Sequence, residues 1–548
     1  MNIRPRRFAL VAAAGACLAA LISFALGFGR SVWFDEGYSI IVLDQPFDRM
    51  MALLKVDVHP PLYYLLLRGW TGIFGPSATS MRAMSCLFCG LTVLTMMALL
   101  RRLAGEKAAL MTMPFLVAAP MLLRYGYEIR MYSLVPFLSV LGTYAMLRAV
   151  DGERASDSDP RLHRTVQVHE WPWWLAYAVI VALGMYTQYM MALVWMTHLA
   201  WLCMCARRVG GFTALRRYLT PYVLAVVLYL PWLPSAVDQI THNALPALKE
   251  TMNLNELGSI FSVLVTGLNG SRLPSCVTVI LIAMLALIIT RAIRLHDAWR
   301  LRQNDETRAA RNALGTLAFF AFTPIIMLLL ISAIREPFTH PYGFFTMRYI
   351  TPFAPYCYAF IGLTCSYTVI EYVPRPPKGP ESACARFVHR WAAWLITMAL
   401  LVGGSIGYAF QGNYIYEQAT TPSTAQAAEQ VACDADQTIV AASEFDYIES
   451  YYYFRSCSRY RFLKRGNVDT RGGYAPLHGS HAQLRNLDDL DTKRVVIVNR
   501  MGFSQPKRRD TGRSGHCTSA APPWCSYRKK PFHRRLERQE RAPTSRRR

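Results

Sequence analysis

Charged residues are scarce in this chain. They make up 17% of its 548 residues, whereas hydrophobic residues make up 53%, and the mean hydropathy is +0.19. Soluble globular domains carry about 25% charged residues. The composition therefore excludes an ordinary soluble enzyme and indicates a polytopic membrane protein with some soluble chain.

Acidic residues are the scarcer of the charged groups: 35 Asp and Glu stand against 59 Lys and Arg, for a formal net charge of +24. A strongly basic chain first suggests nucleic acid. However, residues 501–548 alone hold 14 Lys and Arg against 3 Asp and Glu. Much of the other positive charge lies in short loops, where it sets membrane topology. We therefore predict membrane lipids, and no nucleic acid, as partners.

The cysteines lack the second pair that a zinc site needs. The single CxxC motif, Cys86 to Cys89, falls inside a predicted span and is interpreted as packing. Cys433 and Cys457 fall in a predicted outer soluble region, where they either form a disulfide or stay free.

The chain also lacks a small-x-small cleavage site after its first apolar stretch, residues 8–28. We therefore interpret this stretch as a retained membrane anchor and not as a cleaved signal peptide.

Apolar runs alternate with basic loops over residues 1–410 and predict an all-α polytopic membrane domain of about 11 transmembrane helices. Basic residues before the first span place the amino end in the cytoplasm and the first loop outside. Residues 411–500 predict a small periplasmic α/β domain, and residues 501–548 a basic disordered tail. The predicted spans are residues 8–28, a segment ending near 100, 108–123, a segment ending near 148, 172–187, 189–206, 219–234, 275–293, 313–333, 349–370 and 391–410.

Two adjacent carboxylates, Asp35 and Glu36, directly follow the first span. One interpretation is a solvated loop pair or the cap of an interfacial helix. The other is a site of acid–base or metal chemistry, because acids at the water–lipid boundary have raised proton affinity and are often functional.

A histidine precedes two prolines in the sequence His59-Pro60-Pro61-Leu62-Tyr63-Tyr64. The prolines predict the start of a helix, since the first turn loses no backbone donor to proline. A helix amino end beside His59 and Tyr63 suits an anionic phosphate. The alternative is an ordinary interfacial helix with tyrosines in the aromatic belt.

Two further patches lie at the predicted outer face. Glu128, Arg130 and Tyr132 occupy a short loop, either as a surface ion pair or as a third acid with an arginine for phosphate. Arg348 and Tyr349 precede a late span, where the arginine either snorkels to the interface or binds the phosphate of a membrane-embedded donor.

In their order and spacing, these patches resemble the GT-C membrane glycosyltransferases of the protein O-mannosyltransferase and lipid A aminoarabinose transferase superfamily. The order reads Trp-Phe-Asp-Glu-Gly-Tyr, His-Pro-Pro-Leu-Tyr-Tyr, a downstream Arg82, Glu-x-Arg-x-Tyr-Ser-Leu, then Arg-Tyr before a late span. The most similar group is the bacterial proteins with an RgtA/B/C/D-like domain. The resemblance covers roughly residues 8–370 and is strongest over 31–140.

The resemblance implies transfer of a sugar from a polyprenyl-phosphate donor to a lipid, glycan or protein acceptor. The enzyme would lie in the bacterial inner membrane with its active site facing the periplasm. Asp35 matches the essential acid of the family and is implied to be the base, with Glu36 in support. Glu128 matches the second-loop acid, and a divalent ion, Mg or Mn, would bind at Asp35 and Glu128. The implied donor contacts are His59, Tyr63, Arg130, Tyr132, Arg348 and Tyr349.

The competing hypothesis is a transporter, or a flippase or polymerase of lipid-linked glycans. Such proteins carry intramembrane charges along a path, and many carry inverted repeats. In this sequence the acids cluster in predicted outer loops, the span interiors are almost free of charge, and no repeat is evident. These features favour the enzyme.

Overall fold

The protein divides into two compact units in a computed structural model. The first comprises Met1–Thr420 and Asp469–His478, and the second comprises Thr421–Val468 and Gly479–Arg548. The structure describes residues 5–158, 163–209, 211–242, 254–267, 275–301, 304–339, 346–370, 383–411, 428–429, 431, 433–434, 436–464, 470–487, 490, 492, 494–498 and 524–528.

The first unit is built from helices. Apolar runs with few charges form its long helices, which satisfy their own backbone hydrogen bonds as a bilayer requires. The helices are α1 Pro5–Gly27, α2 Phe34–Leu43, α3 Phe47–Val56, α4 Leu62–Phe74, α5 Ala78–Val117, α6 Pro120–Gly126, α7 Leu134–Ser158, α8 His163–Met185, α9 Met191–Val209, α10 Phe212–Tyr229, α11 Leu233–Thr241, α12 Leu254–Thr266, α13 Ser275–Leu301, α14 Asp305–Thr339, α15 Ala354–Ile370 and α16 Ala383–Gln411.

The all-helical membrane fold predicted from the sequence is confirmed. Each of the eleven predicted spans overlaps one of these helices, and the spans 108–123 and 219–234 each overlap two. Within the described residues, five helices are long and apolar enough to cross a membrane, or six if the pair Ala214–Tyr229 and Leu233–Thr241, bent by 84°, is one span. Two shorter apolar helices, Trp171–Met185 and Met191–Arg207, fall below that length.

Helix α5 has 40 residues and holds one predicted span, which ends near residue 100, and the first part of the next, 108–123. A straight helix of that length would measure about 60 Å, roughly twice the hydrocarbon core of a bilayer. Gly105 resolves this mismatch, because its φ of 81° interrupts the helix between the two spans. Only glycine adopts such a φ without steric cost.

The same helix lies at the centre of the first unit, where it packs against α1, α7 and α15. Gly90 allows the close approach to α1, since a Cβ at this position would lie 2.9 Å from the carbonyl oxygen of Ala16. Gly362 of α15 meets α5 in the same way, with Phe115 2.9 Å from its would-be Cβ. These contacts fix the frame that carries the short helices and loops between the long helices.

Between the first two long helices, the chain forms three short ones, α2, α3 and α4. Two of the predicted site motifs begin here. Asp35 and Glu36 lie in the first turn of α2, and α4 begins at Leu62, directly after Pro60 and Pro61. The predicted helix start after the proline pair is therefore correct.

The second unit contains a small sheet. Its strands are β1 Gln437–Ala441, β2 Tyr460–Leu463, β3 Gln483–Leu484, β4 Arg494–Val498 and β5 Trp524–Arg528, in the order β3-β2-β1-β4-β5. All neighbours are parallel except β4 and β5, which are antiparallel. Helix α17, Glu444–Phe454, connects β1 to β2. This is the βαβ crossover that a parallel pair requires.

A disulfide joins Cys433 and Cys457 in this unit, with Cα atoms 5.3 Å apart. It ties the segment before β1 to the turn before β2. Apart from residues 524–528, which form β5, the predicted basic tail 501–548 lies outside the described residues.

Candidate functional site

Three consecutive residues at the start of α2 project in three directions, because successive helical residues are rotated by about 100°. Phe34 packs its ring on Tyr474. Asp35 pairs with Arg348, and Glu36 pairs with Arg82. The two adjacent acids of the sequence therefore occupy different environments.

Glu36 is fully buried and forms a two-point ion pair with Arg82 of α5. The Arg82 Nε and Nη2 atoms lie 3.1 and 2.6 Å from the two carboxylate oxygens, and the backbone N–H of Ile129 donates to Oε1 at 3.1 Å. Arg82 also donates to the carbonyls of Gly27, Arg30 and Ser31. Both oxygens of Glu36 are thus engaged by the protein, and the pair fastens α2 and the end of α1 to α5.

Asp35 faces the late part of the chain. Its Oδ2 atom lies 2.5 Å from Arg348 Nη1, which also donates to the Tyr132 hydroxyl at 3.0 Å. The Asp35 side chain is 15% exposed and that of Arg348 is 32% exposed, so a ligand can reach this pair. Burial acts to raise the pKa of Asp35, but Arg348, Arg130 and His59 outweigh it and hold that pKa below 3.8.

His59 and Arg130 also lie close enough to Asp35 to influence its charge. The Arg130 guanidinium donates to the Tyr64 hydroxyl at 2.7 Å and to His59 Nδ1 at 3.2 Å. Asp57 lies 3.5 Å from the same His59 nitrogen. Burial and the Arg130 charge lower the pKa of His59 below its ordinary 6.5. The histidine is therefore neutral at pH 7, and its Nδ1 accepts the hydrogen bond from Arg130.

Glu128 lies in the loop between α6 and α7 and is only 3% exposed. Its Oε2 atom has no hydrogen-bond partner among the described residues. Burial raises the pKa of Glu128 to about 8; Arg124 opposes the shift, and the nearby charges of Glu36 and Asp35 add to it. At neutral pH this carboxyl is mostly protonated, so it can donate one hydrogen bond.

The remaining predicted contacts differ in their placement. Tyr63 is buried, and its hydroxyl is 2.9 Å from Ser85 Oγ of α5, so it faces the helix bundle. Tyr349 is half-buried in the 3-10 helix Met347–Ile350, next to Arg348. The structure thus brings Asp35, His59, Arg130, Tyr132 and Arg348 together, with Glu128 nearby, and turns Glu36 and Tyr63 towards α5.

The side chains around Asp35 and Glu128 can be compared with the ligands that a divalent ion prefers. Magnesium and manganese prefer several ionised oxygen ligands. Among the described residues, no group of three or more His, Cys, Asp or Glu side chains could hold a metal ion. Asp35 already pairs with Arg348, and Glu128 is mostly neutral at pH 7. These residues do not fit a divalent ion in this arrangement.

Two structural partners received no role from the motifs. In the sequence, Arg82 is only an arginine downstream of the proline pair, yet in the structure it holds Glu36. Asp57 lies two residues before His59 and is 4% exposed beside it. The available signals were an arginine at the start of a span and an acid close to a histidine, and neither identifies a partner by itself.

Comparison with known proteins bears on the family and the fold of this chain. The family model described as dolichyl-phosphate-mannose-protein mannosyltransferase matches residues 58–157, which include His59, Glu128 and Arg130. A sequence comparison with curated proteins finds no significant match.

Three solved structures are similar to this chain. ArnT from Cupriavidus metallidurans bound to undecaprenyl phosphate is 15% identical with a TM-score of 0.50, over 89% of this chain and 92% of ArnT. The apo state of ArnT from the same organism is 16% identical with a TM-score of 0.49, over 88% of this chain and 92% of ArnT. An Archaeoglobus fulgidus oligosaccharyltransferase tethered with an acceptor peptide is 14% identical with a TM-score of 0.43, over 88% of this chain and 68% of the oligosaccharyltransferase. The match to bound ArnT shows a shared fold, and with the family model it confirms the resemblance to GT-C membrane glycosyltransferases.

Proposed function

We propose that this chain is an inner-membrane glycosyltransferase that transfers a sugar from a polyprenyl-phosphate donor to an acceptor hydroxyl on the periplasmic face. The observation that carries the proposal is the meeting of Asp35 with two arginines, Arg130 and Arg348, from distant parts of the chain. A carboxylate beside a cationic pocket is what a displacement at a sugar phosphate needs. The undecaprenyl phosphate bound to ArnT supports a lipid-linked donor.

The donor phosphate would bind to Arg130 and Arg348. Guanidinium groups bind phosphate oxygens through paired, charge-assisted hydrogen bonds. Tyr132 adds a hydroxyl, since it already accepts from Arg348 at 3.0 Å. Neutral His59 orients Arg130 without adding a charge to compete with it. The pocket is therefore selective for an anionic group.

The reaction would be a single inverting displacement. The acceptor oxygen attacks the anomeric carbon, and the bond from that carbon to the phosphate oxygen breaks. The leaving phosphate keeps the electron pair, which Arg130 and Arg348 stabilise, and Asp35 takes the acceptor proton. No general acid is required, because a lipid phosphate is a good leaving group.

The lowered pKa of Asp35 fits a late proton transfer. The carboxylate is ionised at neutral pH and accepts the hydrogen bond of the acceptor hydroxyl from the start. The hydroxyl becomes acidic only as its oxygen bonds to carbon, so a weak base suffices at that stage. We assign Glu36 a positioning role through Arg82, and Glu128 the role of a neutral contact to the acceptor.

The test is transfer of a labelled sugar from a synthetic polyprenyl-phosphate donor by the purified protein in detergent. We expect Asp35→Asn to lower turnover by at least about 1,000-fold, because both the base and the orientation of the hydroxyl are lost. Donor binding should persist, since Arg130 and Arg348 remain. Asp48→Asn, at an exposed acid in the first turn of α3, is the matched control and should transfer normally.

Turnover by Asp35→Asn within tenfold of the wild type would refute the assignment of Asp35 as the base. A wild-type protein that moves the labelled lipid across vesicle membranes without forming a glycosylated product would instead favour the transporter or flippase. Assaying lipid, glycan and protein acceptors in parallel identifies the acceptor class.

A further inference from the structure

One ring nitrogen of His59 faces two groups with opposite hydrogen-bonding requirements. Arg130 Nη2 lies 3.2 Å from Nδ1, and Asp57 Oδ2 lies 3.5 Å from the same atom. A guanidinium only donates hydrogen bonds, whereas an ionised carboxylate only accepts them. Because Nδ1 carries either a lone pair or a proton in the plane of the ring, it cannot satisfy both neighbours at the same time.

In the structure, the contact with Arg130 is the shorter of the two. Neutral His59 therefore accepts at Nδ1 and carries its proton on Nε2. Asp57 is only 4% exposed, and its Oδ2 atom has no hydrogen-bond partner among the described residues. A buried carboxylate oxygen without a donor is unfavourable. A proton on Nδ1 would supply the missing donor.

A phosphate that binds Arg130 would compete with His59 for the same guanidinium nitrogen. The two faces of a guanidinium that bind an anion through paired hydrogen bonds combine Nη2 with either Nη1 or Nε. In Arg130, Nη2 donates to His59 and Nη1 to the Tyr64 hydroxyl. Nε has no hydrogen-bond partner in the described part of the chain. Paired binding of a phosphate thus leaves Nδ1 of His59 facing Asp57.

The second nitrogen of His59, Nε2, is available to a ligand. It makes no hydrogen bond with a described residue, and the side chain is 17% exposed. An imidazolium has two N–H donors, so it can donate from Nδ1 to Asp57 and from Nε2 to a phosphate oxygen. In the free protein, burial and Arg130 lower the pKa of His59, while Asp57 and Asp35 act to raise it. A bound phosphate would offset the charge of Arg130 and favour the imidazolium.

We infer that His59 takes up one proton when the donor phosphate binds, and that Asp57 is the positioning residue that accepts the new hydrogen bond. The inference rests on the proposed function. The proton passes from solvent to Nδ1, and the hydrogen bond from Arg130 passes from Nδ1 to a phosphate oxygen. The free protein, the donor and one proton therefore give the complex, and donor affinity falls as the pH rises.

The other titratable groups near His59 contribute little to proton uptake at pH 7. Tyr38 and Tyr64 are buried, which raises the pKa of each, so both are already protonated. The pKa of Glu128 is about 8, so this carboxyl is mostly protonated before the donor binds. The pKa of Asp35 starts below 3.8, so this acid stays ionised at pH 7.

The experiment is isothermal titration calorimetry of the purified protein in detergent, with a polyprenyl-phosphate sugar and no acceptor. The titration is repeated at pH 7 in buffers of different ionisation enthalpy. The donor is a phosphodiester and keeps one charge at this pH, so the buffer dependence of the heat counts the protons that the protein takes up. We expect at least about half a proton, and a donor Kd that rises about three- to tenfold per pH unit between pH 6.5 and 7.5.

Two variants separate the roles of the pair. His59→Asn still offers an oxygen to Arg130 but stays neutral, so we expect less than about 0.1 proton and a Kd that does not change with pH. Asp57→Asn removes the accepting carboxylate and should reduce the uptake to less than about 0.2 proton, with a donor Kd about tenfold higher at pH 7. The matched control is His242→Asn. Its Nδ1 also lies beside a carboxylate, 3.0 Å from Asp238, but the side chain is 64% exposed. This control should keep wild-type uptake and affinity.

Donor binding without proton uptake in the wild type would overturn the inference, even if that protein transfers sugar and the proposed function holds. Wild-type uptake in His59→Asn would overturn it too, since the proton would belong to another group, and wild-type uptake in Asp57→Asn would remove Asp57 from the exchange. If the wild type binds the donor with proton uptake but glycosylates no acceptor, the proposed function fails and the inference stands. A wild type that binds no polyprenyl-phosphate sugar would refute both.

Discussion

Replacing Glu128 by glutamine tests which protonation state of this carboxyl the site uses. Glu128 is 3% exposed, and burial raises its pKa from 4.5 to about 8. At about 1.36 kcal/mol for each unit of pKa, folding favours the protonated form over the ionised form by about 5 kcal/mol more than the unfolded chain does. Glutamine has the shape of the protonated acid and stays neutral at every pH.

The pKa is higher in the folded than in the unfolded protein, so the unfolded chain loses its proton first. The contribution of Glu128 to the free energy of unfolding is therefore complete below about pH 4.5 and declines as the pH rises to about 8. Above that pH, ionised Glu128 adds a negative charge near Asp35 and the donor phosphate. We expect wild-type kcat/KM to fall above about pH 8.

The assay is sugar transfer by the wild type and Glu128→Gln between pH 6 and 9.5, with thermal unfolding measured in the same detergent. We expect the variant to transfer within about threefold of the wild type at pH 7, to lose the decline near pH 8, and to unfold at a higher temperature at pH 8. An unchanged decline in the variant would assign it to another group. Inactivity at pH 7 despite normal folding would show that the carboxyl itself is required.

Two further predictions concern the neighbouring groups. Glu36→Gln leaves Arg82 buried beside a neutral side chain, so we expect a loss of about 3–5 kcal/mol in stability, seen as a lower unfolding temperature in detergent; wild-type stability would contradict the structural role of this pair. Because Asp35 pairs with Arg348 and Glu128 is mostly neutral at pH 7, we expect transfer to survive a chelator. Loss of activity in chelator, restored by magnesium or manganese, would reinstate the metal.

The helical membrane fold was predictable because its causes are local. Apolar length and the placement of basic residues identify spans one at a time, and all eleven overlap helices. The packing of residues 471–477 with the helical unit was not predictable. These residues lie in a stretch with the composition of a soluble region, and their contacts to Phe34 and Asp238 join segments more than 200 residues apart. No local pattern encodes a contact of that range.

The sequence motifs predict the residues that the structure brings together around Asp35, but the different environments of Asp35 and Glu36 were only partly predictable. Adjacent acids look alike in a sequence. What separates them is the identity of the arginine that each one meets, 46 residues away for Glu36 and 313 residues away for Asp35. Helical rotation ensures that the two side chains diverge, yet only the packing of α2 decides which of them is sealed from solvent.

The partners of Asp35 also suggest how donor binding and catalysis are coupled. In the free protein, Asp35 pairs with Arg348 and lies close to Arg130, so it offsets part of the positive charge of the pocket. A donor phosphate would take over the hydrogen-bond donors of both arginines. This exchange would release Asp35 from its ion pair and raise its pKa, because the positive charges that lowered it would now be shared with the phosphate. The proposed base, Asp35, would therefore become stronger when a donor is bound.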